Sequence, residues 1–218
     1  MTYEGFSIPT YVFNLPQRED RRKHIEAQFS DKPEFELRWG MTCTHQIGAV
    51  GLWQSICKAV TDAEERGEDD VIILCEDDHF FTEHYDRDRF IEQIIKAGKL
   101  GTHLLAGGIA NFTNAILLKE MGMFWVDWLW CTQFIAIFRP AFRRILEADF
   151  ADTDVADEFL SKILPNKLVV HPFISEQKEF GYSDITKVNE QVDFLPSLFR
   201  KASEDLSNYQ RITQKYSL

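Results

Sequence analysis

The chain is short of positive charge. It has 24 Lys and Arg against 35 Asp and Glu, a formal net of −11. General binding to a nucleic-acid backbone needs a basic face, so that class is excluded. Long apolar runs are also missing. The longest apolar-leaning stretch, Met121 to Phe138, is broken by Asp127, Thr132 and Gln133, and no run approaches the ~20 residues of a membrane span. The beginning, MTYEGFSIPTYVF, has neither a basic n-region nor a long apolar h-region, so no secretory signal is expected. Cysteine is scarce. Cys43, Cys57, Cys75 and Cys131 form no CxxC pair, which points to free thiols in a reducing cytoplasm rather than a disulfide frame or a thiolate metal site. No repeat or low-complexity tract interrupts the 218 residues. One domain over 1–218 is expected, with a ligand-binding half at 10–110, a second half at 111–200 and a tail at 201–218.

What is present alternates strands with helices. Thr10 to Leu15 reads as a strand between Pro9 and Pro16. A charged helix follows over Gln17 to Phe29, with Ile25 and Phe29 at i, i+4. Gly48 to Arg66 carries an apolar stripe and stops at Gly67, a suitable C-cap. Val71 to Cys75 is a continuous apolar run between acids, the pattern of a strand buried on both faces. Asp86 to Ala97 reads as a helix, and His103 to Ala106 and Phe134 to Phe138 read as strands. Helices are expected from Pro140 to Ala148 and from Val155 to Leu164, with a strand between Leu168 and His171. Phe124, Trp125, Trp128 and Trp130 fall in an expected loop, and a polar helical tail closes the chain. This order indicates an α/β three-layer sandwich, Rossmann-like, with a mostly parallel central sheet.

The strongest chemical signal is Glu76-Asp77-Asp78, directly after the buried strand. Ligands of open α/β sheets bind at the carboxyl ends of strands. Three carboxylates there repel one another unless a cation sits among them, and hard oxygen ligands suit Mn²⁺ or Mg²⁺. Residues Glu64 to Asp88 hold 11 acids and two bases, which adds weight to a cation. The second signal is Asn14-Leu15-Pro16-Gln17-Arg18-Glu19-Asp20-Arg21-Arg22, where arginines at a strand-to-helix turn can clamp phosphate. Without a ligand, the acids are a solvated loop and these arginines pair with neighbouring acids on a surface helix.

Taken in order, Asn14, Leu15, Arg18, Asp20 and Arg21, then Glu76, Asp77 and Asp78, then Pro172, Gln177, Ser183, Asp184 and Ile185 resemble the signature of glycosyltransferase family 25. That family includes bacterial lipopolysaccharide glycosyltransferases and collagen galactosyltransferases. The resemblance implies a GT-A type fold and inverting transfer of a sugar from a nucleotide-sugar, usually a UDP-sugar, to an acceptor hydroxyl with the help of Mn²⁺ or Mg²⁺. It implies a glycan, lipid-linked glycan or glycoprotein acceptor. It also implies a cytoplasmic location, extending to the inner membrane face, in cell-surface polysaccharide synthesis. Asp78 would bind the metal, with Glu76 or Asp77 holding donor or metal. Asn14, Arg18, Arg21, Gln177, Ser183 and Asp184 would lie about the donor. His171 would be a further metal ligand. The loop Ile174 to Thr186 would act as a lid. Asp157 would be the general base, followed by Glu158. Asp154 suits the N-cap of the helix that carries them.

One departure stands out. Family members usually carry a Ser-His pair after a glycine-rich helix start, but this chain reads Gln46-Ile47-Gly48-Ala49-Val50-Gly51-Leu52-Trp53, so the pair is missing, by substitution or by a short deletion before Leu52-Trp53. The departure keeps open a non-catalytic module that only binds, beside a metal-dependent phosphohydrolase using the same acids. Gly107-Gly108 would either let a ligand approach the backbone or form a turn. The tryptophans would be core or a sugar platform.

Overall fold

The computed structural model describes residues 3–67, 70–181 and 193–216. In chain order the elements are β1 (Ile8–Phe13), α1 (Glu19–Phe29), β2 (Phe35–Arg38), α2 (Gly48–Arg66), β3 (Val71–Glu76), β4 (His79–Phe81), α3 (Arg87–Lys99), β5 (Leu104–Ala106), β6 (Asn111–Phe112), β7 (Ala115–Leu118), β8 (Met123–Val126), β9 (Leu129–Trp130), β10 (Phe134–Phe138), α4 (Arg139–Leu146), α5 (Ala156–Ile163), β11 (Lys167–Val170), β12 (Ser175–Gln177) and α6 (Phe194–Tyr216).

Eight strands form the central sheet in the order β2-β1-β3-β10-β5-β11-β8-β7. β1 runs parallel to β2 and β3, and β5 parallel to β11. β10 is antiparallel to both β3 and β5, and β8 to both β11 and β7. All strands except β10 and β8 therefore point one way, and the expected mostly parallel sheet is what forms. Period-two alternation splits its side chains between two cores. On β3, Ile72 and Leu74 face the core shared with Trp53, Phe142, Phe159 and Phe199. Ile73 and Cys75 face the core shared with Ile25, Phe29, Phe90 and Ile94. Helices α2, α4, α5 and α6 thus cover one face, and α1 and α3 the other. Each of these fully buried aliphatic side chains stabilises the fold by about 1.5–3 kcal/mol.

Local chemistry sets the ends of several elements. Gly67 takes φ 72° and its N–H closes on the Ala63 carbonyl, ending α2 as a left-handed glycine should. The Asp86 carboxylate accepts from the Arg89 N–H at the start of α3. Asp154 does not cap α5: the N-cap is Val155, and the Asp154 carboxylate accepts from Ala151 N–H instead.

Two expectations change. Most of the aromatic stretch is strand, with only Asp127 and Trp128 left between β8 and β9. β8 pairs with β7 and β11, burying Met123, Phe124 and Val126, while β9 pairs with β6. The closing helix is not polar all round. Leu195, Phe199, Ala202 and Leu206, spaced 4, 3 and 4, are buried where α6 packs on β6, β7 and β12, so residue 200 lies inside a packed helix. The four cysteines are free thiols. Among the described residues, no helix is long and apolar enough to cross a membrane.

Candidate functional site

β1 and β3 are parallel neighbours in which Phe13 pairs with Glu76. The residues that follow them, Asn14 and Asp77, therefore leave the sheet at the same edge. Asn14 Nδ2 donates to Asp77 Oδ2 at 2.9 Å and to the Arg18 carbonyl at 3.2 Å. Arg18, the N-cap of α1, places Nη1 3.4 Å from Asp77 Oδ1. Arg21, in the first turn of α1 and only 4% exposed, donates from Nη1 to Asp77 Oδ1 at 3.1 Å and to Asp78 Oδ2 at 2.9 Å. The remaining donors come from far along the chain. β12 pairs with β4 so that Gln177 lies opposite His79. Gln177 Nε2 then donates to Asp78 Oδ2 at 2.9 Å, and Lys178 N–H to the Asp78 carbonyl at 2.8 Å. The Phe180 ring lies 4.8 Å from the Arg21 guanidinium carbon, which encloses the cluster further.

Glu76 is treated differently. Its carboxylate accepts from Thr132 Oγ1 at 3.3 Å. Burial first, and then the charges of Asp78, Asp77 and Asp157, push it up to about 8. Burial also pushes Asp78 up, to about 6, against the pull of Arg21. Asp157, in the first turn of α5, is 9% exposed and is pushed up mainly by burial. It accepts from Cys131 N–H at 3.0 Å and Glu158 N–H at 2.9 Å. Cys131 sits at φ 77°, a costly region for a side chain with a Cβ, and the Asp157 bond holds it there. Glu158 is exposed.

The expected metal set is not assembled. Among the described residues, no group of three His, Cys, Asp or Glu is arranged to hold a metal ion. His171 points elsewhere. Its Nε2 is 3.0 Å from Ser207 Oγ on α6, and its ring meets Phe124 and Phe173 edge-on. Burial pushes it down to about 4, so it is a neutral residue fastening α6 to the sheet. The cation that the acidic triplet requires is supplied by the chain itself. The guanidinium of Arg21 lies between Asp77 and Asp78 where a metal was expected, and Arg18, Asn14 and Gln177 take further oxygens. The described side chains therefore do not fit a divalent ion at Asp78 and Glu76.

Ser183 and Asp184, with much of the expected lid, lie outside the described residues. The described part of that loop begins as β12, held to β4. Gly107-Gly108 approaches the chain's own backbone. A Cβ on Gly108 would lie 2.1 Å from the Ser175 carbonyl oxygen, so the glycines seat β12 rather than a ligand. His79 is buried in the same region, with Nδ1 2.7 Å from Ser175 Oγ.

Beside the carboxylates lies a cavity of about 390 Å³, lined among others by Arg18, Thr42, His45, Gln46, Glu76 and Asp77. Its floor is the first turn of α2, where Gly48 and Gly51 also line it and the N-cap Ile47 offers no side-chain acceptor. The open N-terminus of a 19-residue helix favours an anionic group. Gly51 is needed here, because a Cβ would press on the Cys43 carbonyl at 3.1 Å. Thr42, His45 and Gln46 were not singled out in the sequence. The glycine spacing at the helix start was the available signal.

No protein-family model matches the chain, and no curated protein matches it in sequence. Among solved structures, A197 from STIV is similar at 10% identity and TM-score 0.49, over 79% of this chain and 85% of that one. UDP-glucose pyrophosphorylase complexed with UDP-glucose is similar at 10% identity and TM-score 0.44, over 93% and 81%. HddC from Yersinia pseudotuberculosis complexed with GMP-PN gives 11% identity and TM-score 0.39, over 91% and 99%. At these scores the likenesses carry no argument about what this chain does.

Proposed function

We propose that this chain is a glycosyltransferase of the family 25 type. It would move a sugar from a nucleotide-sugar, a UDP-sugar first among them, to an acceptor hydroxyl with inversion, in the synthesis of a cell-surface polysaccharide or lipopolysaccharide. One observation carries the reading. Asn14, Arg18 and Arg21, then Asp77 and Asp78, then Gln177, three stretches far apart in sequence, close on a single pair of carboxylates at the rim of a cavity of ligand size.

In this reading the donor diphosphate lies against Arg18 and the start of α2, where charge and helix dipole both favour an anion. The acceptor oxygen attacks the anomeric carbon and forms the new C–O bond. The bond from that carbon to the phosphate oxygen breaks, and the nucleoside diphosphate leaves with the electron pair. The acceptor proton passes to a carboxylate. Asp157 is the proposed base, with Glu158 beside it. Burial raises the proton affinity of Asp157, as a base working near neutrality requires. No step is routed through a metal.

The missing Ser-His supports a second reading, a module that binds without transfer. The test is a thermal-shift panel of UDP, GDP, CMP and ADP, each in EDTA and with Mn²⁺. A nucleotide at 100-fold over its dissociation constant adds about 2.7 kcal/mol of stability. A response to UDP supports the donor site, and a response retained in EDTA supports the arginine arrangement. No response to any nucleotide removes the transferase reading.

A further inference from the structure

Four of the five tryptophans have a packing role. Trp39 and Trp125 lie against the α1–α3 core, and Trp53 and Trp130 belong to the opposite one. Trp128 belongs to neither. It is partly exposed and lines a second cleft, of about 420 Å³, with Asp127, Asp154, Glu158 and Lys162. The hydrophobic effect alone favours covering an indole, and Trp128 instead opens on this cleft.

The polar groups around the indole are fixed in place. Asp127 accepts from Asn114 N–H at 2.8 Å and from Asn114 Nδ2 at 2.6 Å. Asp154 accepts from Ala151 N–H at 2.8 Å. Both carboxylates keep lone pairs for a donor. Lys162 is exposed, with Nζ 5.7 Å from the Phe159 ring. An indole that shares a cleft with two oriented carboxylates and one ammonium matches a pyranose. Its C–H face lies on the indole, and its hydroxyls donate to the carboxylates and accept from the lysine. Three acids against one base disfavour a phosphate.

A chain of hydrogen bonds runs from the wall of this cleft to the wall of the first cavity. Glu158 on its wall donates its N–H to Asp157, Asp157 accepts from Cys131 N–H, and the next residue, Thr132, donates to Glu76 in the nucleotide cavity. We propose that the Trp128 cleft binds a neutral pyranoside and is the acceptor subsite. Its role as acceptor subsite rests on the transferase reading, but sugar binding by the cleft does not.

Saturation-transfer NMR with the methyl glycosides of glucose, galactose, mannose and N-acetylglucosamine, at millimolar concentration, tests the binding directly. Saturation of ring protons is expected for at least one glycoside. Trp128→Ala should weaken that glycoside about tenfold, the loss of one stacking face, and Asp154→Asn should weaken it less. Both variants should keep the wild-type nucleotide response in the thermal-shift panel, which shows that they fold. No saturation with any glycoside, or saturation unchanged in Trp128→Ala, overturns the cleft. A missing nucleotide response with sugar saturation intact overturns the transferase reading instead and leaves a sugar-binding module.

Discussion

Two pairs of carboxylates lie next to each other in this molecule and are stabilised in opposite ways. Asp77 and Asp78 share Arg21, Arg18 and Asn14 add further bonds to Asp77 and Gln177 one to Asp78, and Asp78 Oδ1 stays buried with no bonding partner among the described residues. Glu76 and Asp157 repel each other and have no ion-pair partner among the described residues. Arg21 ties the first pair together, while burial pushes both members of the second upward. Neighbouring positions on one strand end can therefore serve different ends, the first fixing architecture and the second tuning proton affinity.

The contrast should show first in Arg21→Ala. Removing the guanidinium leaves buried Asp78 without its nearest cation and Asp77 with Arg18 as its one remaining cation among the described residues, and a loss of about 3–5 kcal/mol is expected in urea unfolding. A loss under 1 kcal/mol would mean that the pair is not held by Arg21. Glu76→Gln should act with the opposite sign. The usual Glu value is 4.5 and the folded value about 8. Between those values the unfolded chain releases a proton that the folded chain keeps, so stability falls as pH rises through that window. The neutral side chain removes the fall, giving a gain of up to about 4 kcal/mol at pH 8 that fades toward pH 4. Equal melting shifts at both pH values would break the comparison.

Asp157→Asn should cost about 1–2 kcal/mol, because one of the oxygens that hold Cys131 and the start of α5 becomes a donor. It should also abolish transfer while keeping the nucleotide response. Normal turnover would assign the base elsewhere. The smallest effect is expected from Gln177→Ala. Asp78 keeps Arg21, so the cost is about 1 kcal/mol, read as a shift in the denaturation midpoint.

Long or strongly patterned elements were legible in the sequence. α2 and β10 keep their expected bounds, because one has five turns of apolar stripe and the other five consecutive buried residues. β7, β8 and β9 were not legible, since two to four residues cannot declare a period and their pairing is set by partners elsewhere. The carboxylate cluster was visible as a motif, but its counter-ion was misread. Ile25 and Phe29 mark the buried stripe of α1, and one turn back on that stripe is Arg21. Its burial was therefore written in the spacing, and an arginine on an apolar stripe had to meet an acid. The place of His171 was not readable, because its partner Ser207 is 36 residues away on a helix expected to be polar.

The bond from Gln177 to Asp78 spans 99 residues, and this sets an order for assembly on the ribosome. Asn14, Arg18, Arg21, Asp77 and Asp78 are all made within the first 78 residues. At about 5–20 residues per second, synthesis reaches Gln177 roughly 5–20 s later. Through that interval Asp78 has Arg21 within reach but not Gln177. Arg21 is thus the partner made early enough to meet Asp78 before Gln177 has been translated.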